Sequence, residues 1–145
     1  MGTWDIGPFD NDTAADFAGD LDEAAVEKRE PVIRRALKGA ADATDFLETP
    51  DAERAVAAAA LVAAQHPDGV PTSSNYGPSE PLPEFPADLW TLAVEALDQV
   101  VAELSELAEL WDDVAEGRRW RQDITRLRDV LDPPTPPQDA PLFGI

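Results

Sequence analysis

The sequence predicts an all-α fold: an irregular bundle of five to six helices with an ordered non-helical N-terminal cap and a Pro-rich C-terminal tail. Three observations carry this. Apolar residues recur at spacings of three and four along most of the chain, the period of an amphipathic helix. Period-two alternation is absent and β-branched residues are scattered, so no strand pattern reaches a useful length. Proline, glycine and Asx residues punctuate the periodic stretches where helices start and stop.

Residues 1–11 read as the cap. Trp4 and Phe9 are large apolar anchors, and Gly7-Pro8 between them signals a turn. Asp10, Asn11, Asp12 and Thr13 then offer several N-cap side chains. A first helix follows with Ala14, Phe17, Ala18, Leu21 and Ala25 on one face, weakened in the middle by Gly19. The second is expected to start at Glu30-Pro31, proline being favoured at the first helical position. Its stripe is Ile33, Leu37, Ala40, Thr44 and Leu47, which leaves Arg34, Arg35 and Lys38 to water. Thr49-Pro50-Asp51 supplies a capping hydroxyl, a proline and a first-turn acid for a third helix that runs to about Gln65. That helix is alanine-rich and apolar nearly all round, so it is expected at the centre of the bundle, with its neighbours close. His66-Pro67 ends it, because the residue before proline disfavours the α region.

Residues 67–86 form a loop rich in Pro, Ser and Gly, long enough to be either packed and functional or mobile. Tyr76, Leu82 and Phe85 argue for partial packing. Pro86-Ala87-Asp88 opens a fourth helix with Trp90, Val94, Leu97, Val101 and Leu104 in one stripe, widened by Leu89, Ala93, Ala96 and Val100. Ser105 either starts a separate short helix carrying Leu107, Leu110, Trp111 and Val114 or lies inside one long helix. Gly117 breaks the pattern, and a last helix turns Trp120, Ile124, Leu127 and Leu131 inward. Asp132-Pro133-Pro134 stops it. Residues 1–132 thus form one helical domain, and 133–145 a Pro-rich tail.

At 145 residues and 43% hydrophobic content, the chain has the size and the apolar material for one core. There are no cysteines, which removes disulfides, thiolate metal sites and thiol catalysis and is compatible with the cytoplasm. The opening Met1 to Ile6 has neither a basic nor an apolar signal region. The longest apolar run, Ala55 to Ala64, is ten residues, half a membrane span. A cytoplasmic protein without a membrane segment is expected. The formal charge of −19 repels nucleic acid and anionic lipid and attracts a basic protein. Plain solubility is the competing explanation of that charge.

Candidate sites are few. Trp4, Asp10, Asn11 and Asp12 form either a recognition surface or a structural cap in which glycines turn the chain and an Asx side chain caps a helix. Asp5, Asp10, Asp12 and Asp16 invite a calcium reading, but the required loop glycine and closing Glu do not follow. His66 alone builds no zinc site and suits a helix C-terminus. Arg118, Arg119, Arg121, Arg126 and Arg128 surround Trp120 like a nucleic-acid patch, yet Asp112, Asp113, Glu116, Asp123 and Asp129 stand ready to pair with them. No nucleophile elbow, phosphate loop or dinucleotide fingerprint occurs, and no catalytic residue, metal or cofactor is expected.

Gly2-Thr3-Trp4, Gly7-Pro8-Phe9 and Asn11-Asp12 resemble the start of a bacterial domain-of-unknown-function family, number 4259. The run Ala57 to Ala64, Phe85-Pro86-Ala87-Asp88-Leu89, and Trp120 followed by Leu127-Arg128 resemble its later segments. Asp5 departs from the glycine the family often has there; Asp tolerates the left-handed region better than most residues. The resemblance implies a small bacterial protein and brings no activity, cofactor or catalytic residue.

Two functions fit. The first is a non-enzymatic acidic interaction protein, of immunity or antitoxin type, binding a basic protein through the outer side of the fourth helix and its continuation. Glu95, Asp98, Glu103 and Glu106 would be the contact acids, with Glu109 beyond them. The second is a small-ligand binder or enzyme using a cleft under the 67–86 loop, with His66, Asn75, Tyr76 and Glu84 as its polar groups. Partner identity, biological process and oligomeric state are not written in the sequence.

Overall fold

The computed structural model describes residues 7–66 and 82–132. Six helices lie among them: α1 (Asp12–Glu23), α2 (Val26–Ala41), α3 (Thr49–Ala64), α4 (Asp88–Val100), α5 (Glu106–Asp112) and α6 (Gly117–Leu131). No strand is formed among the described residues; a single parallel bridge joins Leu47 and Ser105. The chain is therefore an all-α bundle, as the helical periodicity predicts. Trp4, Asn75, Tyr76 and the tail 133–145 lie outside the described residues.

Alanine decides the centre. From Ala55 to Ala63 every residue of α3 is buried. With little more than a methyl on most faces, α3 is approached by α1, α2, α4, α5 and α6 alike. α2 and α4 pack on α3 and on each other, and their large side chains fill what the alanines leave. Ile33 and Leu37 from α2, and Leu89, Leu97 and Val100 from α4, have no exposed surface. Each such side chain contributes roughly 1.5–3 kcal/mol by leaving water, so this three-helix contact dominates the stability. α1 is peripheral and buries only Ala14, Phe17, Ala18 and Leu21.

Several element ends differ from the sequence reading, each for a physical reason. α2 begins at Val26, five residues early, and Pro31 sits inside it. Arg29 accounts for the early start. Its Nε donates to the carbonyls of Leu21 (2.9 Å) and Ala24 (3.1 Å), so it closes the C-terminus of α1 from the first turns of α2. Pro31 is exposed and, lacking an N–H, leaves the Glu27 carbonyl without its usual helical donor on an exposed side of the helix. Ala25 is consequently the exposed N-cap of α2 and not part of the α1 stripe. α2 ends at Ala41, which leaves Thr44 exposed and Leu47 buried in the connector. At the head of α3, Glu48 is the N-cap and Thr49 the first helical residue.

On α4, the strip Leu89, Ala93, Ala96, Leu97 and Val100 is buried, whereas Trp90 and Val94 are half-buried and Leu104 lies beyond the helix, exposed. Ser105 does start a separate helix: its Oγ accepts from the N–H of Ala108 at 3.3 Å. Only Leu107 and Ala108 of that helix turn inward, while Leu110 and Val114, expected inside, are exposed. Gly117 opens α6 because a Cβ there would collide with the Trp111 carbonyl oxygen. Trp120, Ile124 and Leu131 are buried as predicted, and Trp120 stacks on Trp111 with ring centroids 5.8 Å apart. No helix among the described residues is long and apolar enough to cross a membrane.

Candidate functional site

The acids proposed from sequence separate into committed and uncommitted groups. In the N-terminal motif, the Gly7 N–H donates to Asp10 Oδ2 and the Asp10 N–H to the Gly7 carbonyl, both at 3.1 Å. Asn11 Oδ1 accepts from the Ala14 N–H at 2.8 Å and caps α1. Phe9 is fully buried beside them. Asp10 and Asn11 therefore spend their side chains on backbone, and Asp12 points to solvent from the first turn of α1. Asp123 on α6 lies close enough to feel Asp10. Burial pushes its carboxyl above the usual range, the Arg126 charge opposes this, and Asp10 adds to it.

On the face formed by α4, α5 and α6, Asp98 is held by Arg128 through two contacts of 2.7 and 3.3 Å. Glu106 Oε1 accepts from both the N–H (2.8 Å) and the hydroxyl (2.9 Å) of Thr49. It thereby caps α3 from another helix, and these two donors hold its carboxyl below the usual range. The adjacent backbone ladder runs from the Leu47 N–H to the Leu104 carbonyl and from the Glu106 N–H to the Leu47 carbonyl, each 2.9 Å. Asp112 receives Arg121 in a bidentate pair of 2.9 and 3.0 Å, which lowers its carboxyl. Asp88, at the head of α4, is lowered in the same way by Arg34, whose own guanidinium is raised and also grips Glu30. Glu95, Glu103 and Glu109 are exposed and have no partner among the described residues. Of the four acids expected to meet a partner here, Asp98 and Glu106 are thus engaged within the molecule, and Glu95 and Glu103 stay open.

The arginine cluster resolves similarly. Arg121, Arg126 and Arg128 pair with Asp112, Asp123 and Asp98, while Arg118 and Arg119 remain exposed without an ion pair among the described residues.

A second acidic face, which the sequence reading does not group together, lies on α1. Asp12, Asp16, Asp20 and Glu23 lie on one side of α1, are exposed, and form no ion pair among the described residues. The signal was there to find, because spacings of four, four and three place all four on one helical face. Like charges so placed repel one another, and α1 carries no basic residue to offset them.

Of the residues expected to line a cleft under the 67–86 loop, His66 and Glu84 are described. The His66 ring lies tilted against Trp90 with centroids 4.7 Å apart. Gln65 donates to the Pro83 carbonyl and accepts from the Phe85 N–H, both at 2.9 Å. Glu84 is exposed. Asn75 and Tyr76 are not among the described residues. An open groove of about 470 Å³ occurs elsewhere, between α5 and α6, lined by Asp112, Val114, Gly117, Arg118, Arg121, Gln122 and Thr125. Every buried side-chain nitrogen or oxygen among the described residues has a hydrogen-bond partner.

Compared with known proteins, residues 2–123 match the model of a domain of unknown function, DUF4259. No curated protein and no solved structure matches the chain.

Proposed function

The chain belongs to the DUF4259 family, and we propose that this protein is a non-enzymatic acidic interaction module that binds a basic protein partner in the cytoplasm, as immunity and antitoxin proteins do. The supporting observation is the outer face of α1. Asp12, Asp16, Asp20 and Glu23 stand exposed in a row and form no ion pair among the described residues. Such a row costs the fold stability through repulsion and creates a field that accelerates encounter with a cationic surface. The same field turns away nucleic acid and anionic membranes.

The test is kinetic. Proteins captured by the immobilised chain from its native lysate are eluted, and the association rate of the captured basic protein is measured at low and high salt. Exposed charges are screened over about 8 Å at physiological ionic strength and about 3 Å at 1 M. Association should therefore slow as salt rises, and should slow likewise in an Asp16→Asn/Asp20→Asn/Glu23→Gln variant. A variant that keeps every captured protein at an unchanged rate, and loses only solubility, reduces the acidic face to solvation.

A further inference from the structure

Among the described residues, five large apolar side chains remain exposed, and four of them gather around α5: Phe46, Leu104, Leu110 and Val114, each about half exposed. Leu104 directly precedes the Ser105 cap of that helix. Phe46 is brought beside it because the next residue, Leu47, pairs with Leu104 and Glu106 through backbone hydrogen bonds. Leu110 lies on α5, and Val114 sits in the turn that follows, two residues beyond the helix. The helical period alone would have turned Leu110 and Val114 inward. The seven-residue α5 instead buries Leu107 and Ala108, and the close approach of Gly117 to Trp111 fixes that orientation. Exposed apolar side chains clustered around one short helix and its flanking turns mark an interaction site more often than scattered exposure does.

Acids predominate beside this ridge, although Arg118 and Arg121 line the groove at its Val114 end. Glu103, Glu109, Asp113 and Glu116 are exposed and unpaired among the described residues, and Asp45 precedes Phe46. We propose that the ridge docks a cationic amphipathic helix of the partner protein. Apolar side chains at i, i+3 or i+4, and i+7 of that helix would seat between the Phe46–Leu104 pair and the Leu110–Val114 pair. Its lysines or arginines would meet Glu103, Glu109 and Asp113 on the flanks. α5 is about 10 Å long and its flanking turns extend the ridge, so a segment of about two to three turns fits. A second copy of this chain is the poorer occupant, because it would bring the same acids and a charge of −19 against themselves. The inference rests on the reading of the protein as a binder of basic partners and adds where, and by what kind of segment, the contact is made.

The probe is a synthetic helical peptide of leucine and lysine with leucines on one face, titrated into the ¹⁵N-labelled full chain. A peptide of the same composition in scrambled order is the control. The expected result is that shift changes centre on residue 46 and residues 103–114, and that the scrambled peptide binds at least about tenfold more weakly, the equivalent of about 1.4 kcal/mol. Leu104→Ser/Leu110→Ser, at exposed positions that leave the core intact, should cost at least a similar factor. Glu103→Gln/Glu109→Gln/Asp113→Asn should slow association and flatten its salt dependence. Equal binding of the scrambled peptide, or no effect of the leucine changes, overturns the ridge as a docking site. So does loss in those variants of a self-association seen by sedimentation, which would make a second copy the occupant. Shift changes centred on Asp12, Asp16 and Asp20 overturn the ridge but leave the broader reading standing. Binding indifferent to salt and to every acid-to-amide change overturns both.

Discussion

α1 and the α4–α6 side of the bundle are both acidic, yet their acids do different work. On the α4–α6 side, Asp98, Glu106 and Asp112 each accept two hydrogen bonds from Arg128, Thr49 and Arg121. These contacts tie α4 to α6, α5 to α3 and α5 to α6. On α1 the acids Asp12, Asp16, Asp20 and Glu23 tie nothing among the described residues. A net charge of −19 therefore does not describe one uniform surface. Part of it is internal fastening, and the part left over on α1 and around α5 is free to act on another molecule.

The comparison breaks most visibly at the anchor of the fastened side. Trp120, buried and stacked on Trp111, seats α6 so that Arg121 and Arg128 reach their acids. Trp120→Ala should cost about 3–5 kcal/mol in urea unfolding. A loss under about 1 kcal/mol would mean that α6 is not held by its core face.

Two glycines sharpen the contrast at smaller scale. Gly117→Ala forces a Cβ into the Trp111 carbonyl, an overpacking that should cost about 1–3 kcal/mol. Gly19→Ala on α1 meets nothing within 4 Å and should stabilise by about 0.5–1 kcal/mol through helix propensity. Equal and opposite results, read from the same melting curves, would reverse the assignment of tight and open regions.

Acidity gives a third, smaller effect. Asp88, Glu106 and Asp112 have lowered carboxyls in the fold, first because of hydrogen bonds from Arg34, Thr49 and Arg121 respectively. As pH falls, the unfolded chain takes up these protons before the folded one does. Their contribution is therefore complete above the ordinary carboxylate range, and it fades as pH drops below about 5 toward their folded values. Asp123 has the opposite sign: burial raises its carboxyl, so what it contributes as a neutral acid is lost as pH rises through its folded value. Glu106→Gln should make the acid-side loss of stability shallower. If it leaves the slope unchanged, the Thr49 contact carries no linkage.

Much of this architecture was legible in the sequence, because helical periodicity reports a buried face directly. The all-round apolar α3, the inward Trp120 and Ile124, and the capping roles open to Asn11 and Ser105 were all readable from spacing and residue type. What spacing could not show were partnerships between distant residues. Asp98–Arg128, Arg34–Asp88 and Thr49–Glu106 lie 30, 54 and 57 residues apart. Those pairings decided that Asp98 and Glu106, plausible as contact acids, are engaged inside the molecule. The start of α2 was misread because Pro31 is a strong local signal and the reach of Arg29 back to α1 is a tertiary one. Leu110 and Val114 were misplaced for the same kind of reason, since the orientation of so short a helix is set by its neighbours more than by its own period. The α1 stripe is the converse case, fully local and visible in the residue numbers alone.

The most direct test of the division sets two charge-matched variants side by side in urea unfolding at neutral pH. Asp16→Asn/Asp20→Asn/Glu23→Gln removes three negative charges from α1, and Asp98→Asn/Glu106→Gln/Asp112→Asn removes three from the fastened side. If the acids differ as described, the α1 variant unfolds at the same or a higher urea concentration than the parent, because only repulsion has been relieved, and the second variant unfolds at a distinctly lower one. If both midpoints move together, in the direction and by the amount that the shared change in net charge dictates, the acids are equivalent and the division between fastening and free charge is wrong.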